Sequence, residues 1–362
     1  MAELLLKSGL ADRVYRGITP LASRLAGGLL QTNIIACGIF SAISGSSTAT
    51  AAAIGTVSLP QLRGQGYNPS LAAGSLAAGG TLGILIPPSI PLIIYSTFAE
   101  ISAAELFIAG IGPGVALVVL FCSFIGIVSF FSRKMIPVES NLEPIDWLKC
   151  INDLLPFVFL ITFVLGSIYL GIATPTEAAA VGCLGSFCMG KVWGKLGLSE
   201  FRSATKATVK TTGAIMLLVM MAFVFSYAIA ITGIPKQLAT WVGAQEMTAL
   251  TLMLLIGAVY LLMGCIIDSI GMMVITVPLL LPIVEAYGID TVLFGIMVVL
   301  YIEVGLITPP IGLNLFVIHS LVPSGKLLTV IRGAVPFVFL MIAMVIIVWT
   351  FPQVALWLPS KM

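Results

Sequence analysis

Long apolar stretches separated by short polar ones dominate the chain. Residues 112–131, 154–173, 211–233, 248–267 and 333–351 carry no charged side chain, and each is long enough to take an α-helix through roughly 30 Å of hydrocarbon at about 1.5 Å per residue. These segments predict membrane-spanning helices. A second pattern is less regular, with helix-sized apolar runs broken by small polar residues. Residues 34–43 lead into Gly45, Ser46, Ser47 and Thr48 and then an Ala-rich run to Arg63; residues 250–267 lead into Asp268, Ser269 and Ile270 and then an apolar run to Glu285. Lipid cannot satisfy backbone groups freed at such a break, so each pattern predicts two half-length helices joined at a tip buried in protein. Both read as re-entrant hairpins.

The two patterns are copies of one another. Slid along itself to a single ungapped register, the sequence brings Ser47 onto Ser269, Pro60 onto Pro282, Gly66 onto Gly288, Gly83 onto Gly305, and Pro87 and Pro88 onto Pro309 and Pro310. Prolines and glycines in one register point to a duplication, and internal symmetry of this kind marks secondary transporters, whose sites form where the repeats meet. In each copy the hairpin is followed by a spanning helix with a Pro-Pro break at its centre. Two successive prolines remove two amide donors and disfavour helical backbone at the residue before them, leaving carbonyl oxygens free at membrane depth. Such oxygens opposite a hydroxyl-rich tip form a cage suited to a hard cation, and sodium fits without several carboxylates.

Composition agrees with a lipid environment. Hydrophobic residues make up 59% of the 362 and charged residues 9%, against about 25% charged in a soluble domain, which leaves too few polar side chains to coat a water-facing surface. A net charge of +2, spread over short loops, gives no basis for a nucleic-acid partner. Five of the six cysteines (Cys37, Cys122, Cys183, Cys188 and Cys265) sit in apolar segments, and none are spaced as C-x-x-C, so neither a zinc site nor a disulfide framework is indicated. The single histidine, His319, excludes a multi-histidine metal centre within one chain and is given no role. The stretch from Met1 to Arg24 holds Lys7, Asp12, Arg13, Arg16 and Arg24 in an amphipathic pattern, predicting an arm along the membrane surface in place of a signal peptide.

Charge also sets an orientation. If the feet of the first hairpin, near Arg24 and Arg63, face the cytoplasm and each later apolar run crosses once, except the second hairpin, which enters and leaves on one side, then Arg133, Lys134, Lys149, Lys191, Lys195, Arg202, Lys206, Lys210, Lys326 and Arg332 also lie inside, with Lys7, Arg13 and Arg16 of the arm. Fifteen of the 17 basic residues are then inside, and Lys236 and Lys361 alone are outside. The mouth of the second hairpin, near Glu246 and Glu285, falls outside, so the repeats are inverted and their tips approach the midplane from opposite faces. The fold class is an all-α polytopic membrane protein of inverted repeats. Its parts are an arm at 1–25; a first repeat at 26–132 with hairpin 26–64, broken helix 70–98 and helix 107–131; linking helices and a basic cytoplasmic loop at 133–210; and a second repeat at 211–362 with helix 211–233, hairpin 248–286, broken helix 291–320 and helix 332–352.

Candidate ion- and substrate-binding residues follow from the breaks. Ser46, Ser47, Thr48 and Thr50 offer hydroxyl oxygens at the first tip, although small hydroxyl residues also let helices pack closely. Asp268, with Ser269 beside it, is a carboxylate at membrane depth, a costly placement usually kept for an ion, a proton or a substrate. Gly83, Pro87 and Ser89 mark the first broken helix and Gly305 and Thr308 the second. Glu303 either pairs, protonates or binds a cation, or bonds amides freed by the break. Asn314 completes the cage or bonds a freed carbonyl. Glu177, just after Pro175, is read as a helix cap. An intramembrane protease using Ser47 with His319, or Asp268 with Glu303, has no supporting motif and no need of a duplication; a scaffold without transport is the other non-transport reading.

These residues carry a family resemblance. Gly45 to Ala49 (G-S-S-T-A), Arg63 to Tyr67 (R-G-Q-G-Y), Ile86 to Pro91 (I-P-P-S-I-P) and Glu303 to Phe316 (E-V-G-L-I-T-P-P-I-G-L-N-L-F) resemble the large membrane subunit of tripartite ATP-independent periplasmic (TRAP) transporters, the DctM-like family, over essentially the whole chain. The resemblance implies an elevator-type, sodium-driven importer of an organic acid such as a C4-dicarboxylate or sugar acid, multi-pass in the bacterial inner membrane. It implies two partners, a small DctQ-like membrane subunit and a DctP-like periplasmic binding protein that delivers the substrate. It implies no cofactor beyond sodium as the coupling ion, with sodium sites carried over to Ser46, Ser47, Gly83 and Pro87 on one side and to Asp268, Ser269, Gly305 and Thr308 on the other. About two further helices are expected before the arm, so the chain reads as shortened at its start. The alternative is a stand-alone sodium and divalent-anion symporter of the same superfamily, needing no binding protein.

Overall fold

The computed structural model describes residues 1–131, 136–137, 145–245, 247–322 and 326–361. Arg133, Lys134 and Glu246, used above for orientation, lie outside the described residues. Every regular element among the described residues is helical.

The arm is α1 (Ala2–Lys7) and α2 (Leu10–Ala22). Its apolar stripe does not face lipid: Val14, Tyr15 and Ile18 are buried against α3 (Leu29–Ser44), α4 (Ser47–Gly64) and α8 (Trp147–Tyr169). A polar chain fixes this docking, because Tyr15 Oη donates to Asn33 Oδ1 at 3.3 Å and Asn33 Nδ2 donates to Ser75 Oγ at 3.1 Å. Buried polar groups paired in this way specify a register that apolar packing alone would not.

The duplication is visible in the helix boundaries. The first hairpin is α3 and α4; it is followed by α5 (Pro69–Leu85), α6 (Ile90–Ala99) and α7 (Ala103–Phe131). The second hairpin is α12 (Ala249–Gly264) and α13 (Ser269–Ala286), followed by α14 (Thr291–Leu306), α15 (Leu313–Leu321) and α16 (Leu327–Thr350), with α17 (Gln353–Leu356) after them. Ser47 and Ser269, paired in the repeat register, open equivalent helices, and so do Pro69 and Thr291. Their caps correspond as well: Asn68 Oδ1 accepts from the Ser70 and Leu71 amides at 3.0 and 3.2 Å, and Asp290 Oδ1 accepts from Leu293 N at 2.8 Å. Pro87–Pro88 and Pro309–Pro310 are both cis.

The equivalent helices α5 and α14 form the centre of the molecule. Every residue from Leu71 to Leu85 and from Val292 to Leu306 is buried. Around them the peripheral helices keep one apolar face outward; α7 and α16 join through Phe121 and Phe124, whose rings lie 5.3 Å from that of Phe337. Six helical segments among the described residues are long and apolar enough to cross a membrane. Their outward apolar side chains need no cover from water in a bilayer.

Between the repeats run α8, α9 (Pro175–Val192), α10 (Leu198–Thr232) and α11 (Ile234–Ala244). Two features differ from the sequence reading. No basic loop separates residue 198 from 210: α10 is one 35-residue helix. Nothing between Leu198 and Lys210 breaks a helix, and Glu200 Oε2 accepts from Gly197 N at 3.0 Å to start it there. A further helix, α11, follows Gly233, whose φ of 70° ends α10. Glu177 does cap α9: its carboxylate accepts from Thr174 N at 2.8 Å while Thr174 Oγ1 accepts from Glu177 N at 3.3 Å.

Candidate functional site

Each hairpin turns in a few residues. In the first, Gly45 takes φ 62°, a left-handed conformation that needs no Cβ, and Ser46 caps α4 by accepting from Ala49 N at 3.5 Å. In the second, α12 ends at Gly264, the chain turns through Cys265 to Asp268, and Asp268 Oδ2 accepts from Ile270 N at 3.2 Å to cap α13. The break therefore falls slightly earlier than read from the sequence: Ser47, Thr48, Ser269 and Ile270 already belong to the second helix of each hairpin.

The first tip gathers oxygen atoms. Thr50 Oγ1 lies 2.5 Å from Ser44 Oγ and donates to the Ser46 carbonyl at 2.9 Å, with Ser44 Oγ 3.3 Å from the same carbonyl. Thr48 Oγ1 is 3.3 Å from Ser46 Oγ. Gly83 of α5 closes one side so tightly that a Cβ there would stand 2.5 Å from the Ser46 oxygen and 2.9 Å from Thr50 Oγ1. Pro87 and Pro88 remove the amides that would otherwise close on the Gly83 and Ile84 carbonyls. Ser89 repairs the second, donating to Ile84 O at 2.5 Å, and caps α6 by accepting from Leu92 N at 3.5 Å. Ser44, at the end of the apolar run, escaped the sequence reading; its signal is only its place directly before the polar break.

Equivalent residues tie each broken helix to its hairpin tip. Ile90 N donates to Gly45 O at 3.3 Å, and Gly312 N, the counterpart of Ile90 in the second copy, donates to Cys265 O at 3.1 Å. Beyond that the tips differ. At the second, Gly305 packs on Gly264, where a Cβ on either residue would come within 2.8 Å of the other's Cα, and Cys265 Sγ donates to Pro309 O at 3.2 Å. Thr308 Oγ1 donates to Val304 O at 2.6 Å in its own helix. Of the residues expected around the second site, Gly305 faces the end of α12, and Asp268 and Ser269 line a cavity shared with the first tip.

That cavity joins the two repeats. It holds about 490 Å³ and is lined by Ser46, Ser47 and Thr48 of the first tip, Asp268 and Ser269 of the second, and Lys210 of α10. Both α4 and α13 start at its wall, so the positive end of each helix, roughly half a unit of charge, lies at the cavity beside the capped first-turn amides. Lys210, a loop residue on hydropathy alone, is on this wall because α10 continues through it.

Glu303 and Asn314 lie away from the cavity in the core. Both Glu303 carboxylate oxygens are buried with no hydrogen-bond partner among the described residues, so the expected role of bonding amides freed by the break is not realised. Asn314 Nδ2 donates to Ala77 O at 3.2 Å, linking α15 to α5 across the repeats; it does not bond a carbonyl freed by the adjacent prolines. His319 is near the end of α15 with Nδ1 buried and unpartnered among the described residues. No group of three or more His, Cys, Asp or Glu side chains comes together among the described residues.

Comparison with known proteins places this geometry among transporters. Residues 1–354 match the family model described as the tripartite ATP-independent periplasmic transporter, DctM component. The chain is 35% identical to the C4-dicarboxylate TRAP transporter large permease protein DctM of Pseudomonas aeruginosa, covering 97% of this chain and 82% of that protein. It is 34% identical to the sialic acid TRAP transporter large permease protein SiaM of Vibrio cholerae, over 99% of this chain and 83% of that one. Against the ectoine/5-hydroxyectoine TRAP transporter large permease protein UehC of Ruegeria pomeroyi the identity is 31%, over 99% and 83%. Among solved structures, the Alcanivorax borkumensis YdaH transporter shares the fold, with a TM-score of 0.65 at 15% identity over 99% of this chain and 85% of that one.

Proposed function

Because the chain belongs to the DctM-component family of tripartite ATP-independent periplasmic transporters, we propose that it carries a small organic acid, driven by sodium, through the cavity between its two hairpin tips. It is the large permease subunit of a TRAP transporter, an integral inner-membrane protein and not an enzyme.

The observation that carries the proposal is the convergence of two helix N-termini and Lys210 on one cavity. Counting about half a positive charge for each N-terminus and one for Lys210, against one negative charge on Asp268, leaves the cavity roughly one unit positive. An anion is favoured there, and half-helix N-termini aimed at substrate carboxylates are a recurring device in transporters. The relatives' named substrates include C4-dicarboxylates and sialic acid, both organic acids.

Sodium enters at the tips. The oxygens of Ser44, Ser46 and Thr50 beside Gly83 offer neutral ligands, and Asp268 offers a carboxylate at the second tip. Unlike ligand sets make two unequal cation sites. A cation at Asp268 also cancels its negative charge and raises the cavity's affinity for an anion, which couples the two solutes through a single electrostatic term. The hairpins are re-entrant from opposite faces, and alternating access is an elevator movement of the hairpins and broken helices against the surrounding helices. A small membrane subunit of the DctQ type and a periplasmic binding protein of the DctP type complete the system, and the binding protein selects the substrate.

The test is uptake into proteoliposomes holding this chain with its small subunit, with the binding protein and labelled C4-dicarboxylate or sialic acid outside. Uptake that requires an inward sodium gradient and the binding protein is expected. Uptake without sodium refutes the coupling, and uptake without the binding protein favours a stand-alone symporter.

A further inference from the structure

We propose that a second cavity, remote from the transport site, binds a phosphate-bearing anion, with the headgroup of an acidic phospholipid as the ligand. It holds about 610 Å³, inside the roughly 300–1,000 Å³ range of small-molecule sites. Its walls come from the arm α2, the far end of α4 and the α9–α10 connection, and the residues that matter are Asp12, Arg13, Arg16, Gln61, Trp193 and Lys195.

Arg13 builds the wall. Its Nε donates to Asp153 Oδ1 at 2.5 Å and one of its terminal nitrogens donates to Trp193 O at 3.3 Å, with only 13% of the side chain exposed. Lys195 N donates to Ser8 O at 2.9 Å and fixes the connection to the arm. A cradle held by these bonds is formed before any ligand arrives. Two cations then remain: neither Arg16 nor Lys195 makes an ion pair among the described residues. With Arg13 neutralised by Asp153, Arg16 and Lys195 outweigh Asp12, and the cavity is net positive. Gln61 adds an uncharged donor and acceptor. Arg16 supplies a planar fork of N–H groups and Lys195 a compact ammonium, a pairing that suits a phosphate with oxygens on more than one side.

Position argues for lipid as the source. The cavity lies where α4 and α9 end and where α8 begins, and these ends also carry Arg63, Lys191 and Lys149. This is the end that the charge bias assigns to the cytoplasmic face. Basic pockets between helices at that level hold anionic headgroups, and Trp193, 42% exposed on the rim, has the amphipathic ring enriched at the headgroup boundary. Since α4 belongs to the first hairpin and α2 and the α9–α10 connection do not, a bound headgroup links the hairpin to its surroundings. The site owes nothing to the identity of the transported solute.

Native mass spectrometry of the delipidated chain in detergent tests the proposal with three probes: phosphatidylglycerol, phosphatidylcholine and inorganic phosphate. Phosphatidylglycerol is expected to be retained at least tenfold better than phosphatidylcholine. The Arg16→Gln/Lys195→Gln pair loses that preference, Arg16→Lys/Lys195→Arg keeps it, and Arg202→Gln/Lys206→Gln on exposed α10 leaves it unchanged. Displacement of the lipid by millimolar phosphate supports the phosphate chemistry with the free ion as a sufficient ligand; retention in its presence supports the lipid as the ligand. Equal retention of the two lipids by the wild-type chain, or an unchanged preference in the Arg16→Gln/Lys195→Gln pair, overturns the site.

Discussion

Gly83 lies against the Ser46 carbonyl at the first hairpin tip, with no room for a methyl group between them: a Cβ on Gly83 would stand 2.5 Å from that oxygen. The obstacle is backbone, which cannot rotate away, so Gly83→Ala must push the tip off α5. Overpacking of this kind costs about 1–3 kcal/mol, and the displaced atom is one of the oxygens assigned to sodium. Lower thermal stability in detergent and at least a tenfold weaker sodium dependence of uptake are expected. Gly213, in α10 with nothing within 4 Å of its Cβ position, is the control, where alanine is neutral or stabilising by about 0.5–1 kcal/mol. Equal effects at both positions would show that helix propensity, and not the tip, is being measured.

Why the tips could be read from sequence, and their surroundings could not, follows from which residues carry the information. A Pro-Pro step and a glycine in the same register mark a break wherever they occur, because the missing amides and the missing Cβ are local facts; hence α13 starts at the counterpart of the residue that opens α4. Lys210 carries no such mark. Its position on the cavity wall depends on α10 running unbroken from Leu198, and a polar first third followed by an apolar remainder resembles a loop before a helix when only hydropathy is followed. Asn314 and Gly264 are similar cases: their partners, Ala77 and Gly305, are far away in sequence, and no local period shows a contact between elements. The arm illustrates a third kind of limit, since an amphipathic helix has the same pattern whether its apolar face meets lipid or protein.

Asp268 has two duties that separate cleanly by substitution. As a cap it accepts from Ile270 N, and asparagine does that about as well. As a carboxylate it has no neutral substitute. Asp268→Asn is therefore expected to unfold within about 0.5 kcal/mol of the wild type while its apparent sodium affinity for uptake falls tenfold or more, whereas Asp268→Ala loses both the coupling and about 1 kcal/mol of cap stability. Wild-type sodium dependence in Asp268→Asn would reduce the residue to a cap.

Lys210 sets the charge preference of the central cavity if the carboxylate of the substrate binds there. A hydrogen bond to a charged partner contributes about 1.5–3 kcal/mol, which is roughly a 10- to 150-fold change in affinity. Lys210→Met should raise the KM for uptake by that order with the protein still inserted, because the side chain is exposed on α10 and no packing is lost. Lys210→Arg should recover most of the affinity. An unchanged KM for Lys210→Met would leave the helix N-termini as the sole anion-attracting groups.

Glu303 presents the opposite situation, a carboxyl group with full burial and no partner. Both oxygens lack hydrogen bonds among the described residues, near the C-terminal end of α14, and each buried polar group left unsatisfied costs about 1–3 kcal/mol. A residue kept at such cost within a membrane protein is retained for work. Glu303→Met preserves the length and apolar packing of the side chain and removes both unsatisfied oxygens. It is expected to raise the thermal stability of the chain in detergent, by an amount corresponding to about 1–3 kcal/mol, and to reduce sodium-driven uptake sharply. Stability and activity then move in opposite directions, the signature of a group whose strain serves function. Destabilisation by Glu303→Met would instead mean that the carboxyl group makes a bond essential to the fold, and a stabilised variant with full uptake would mean that transport does not need this carboxyl group.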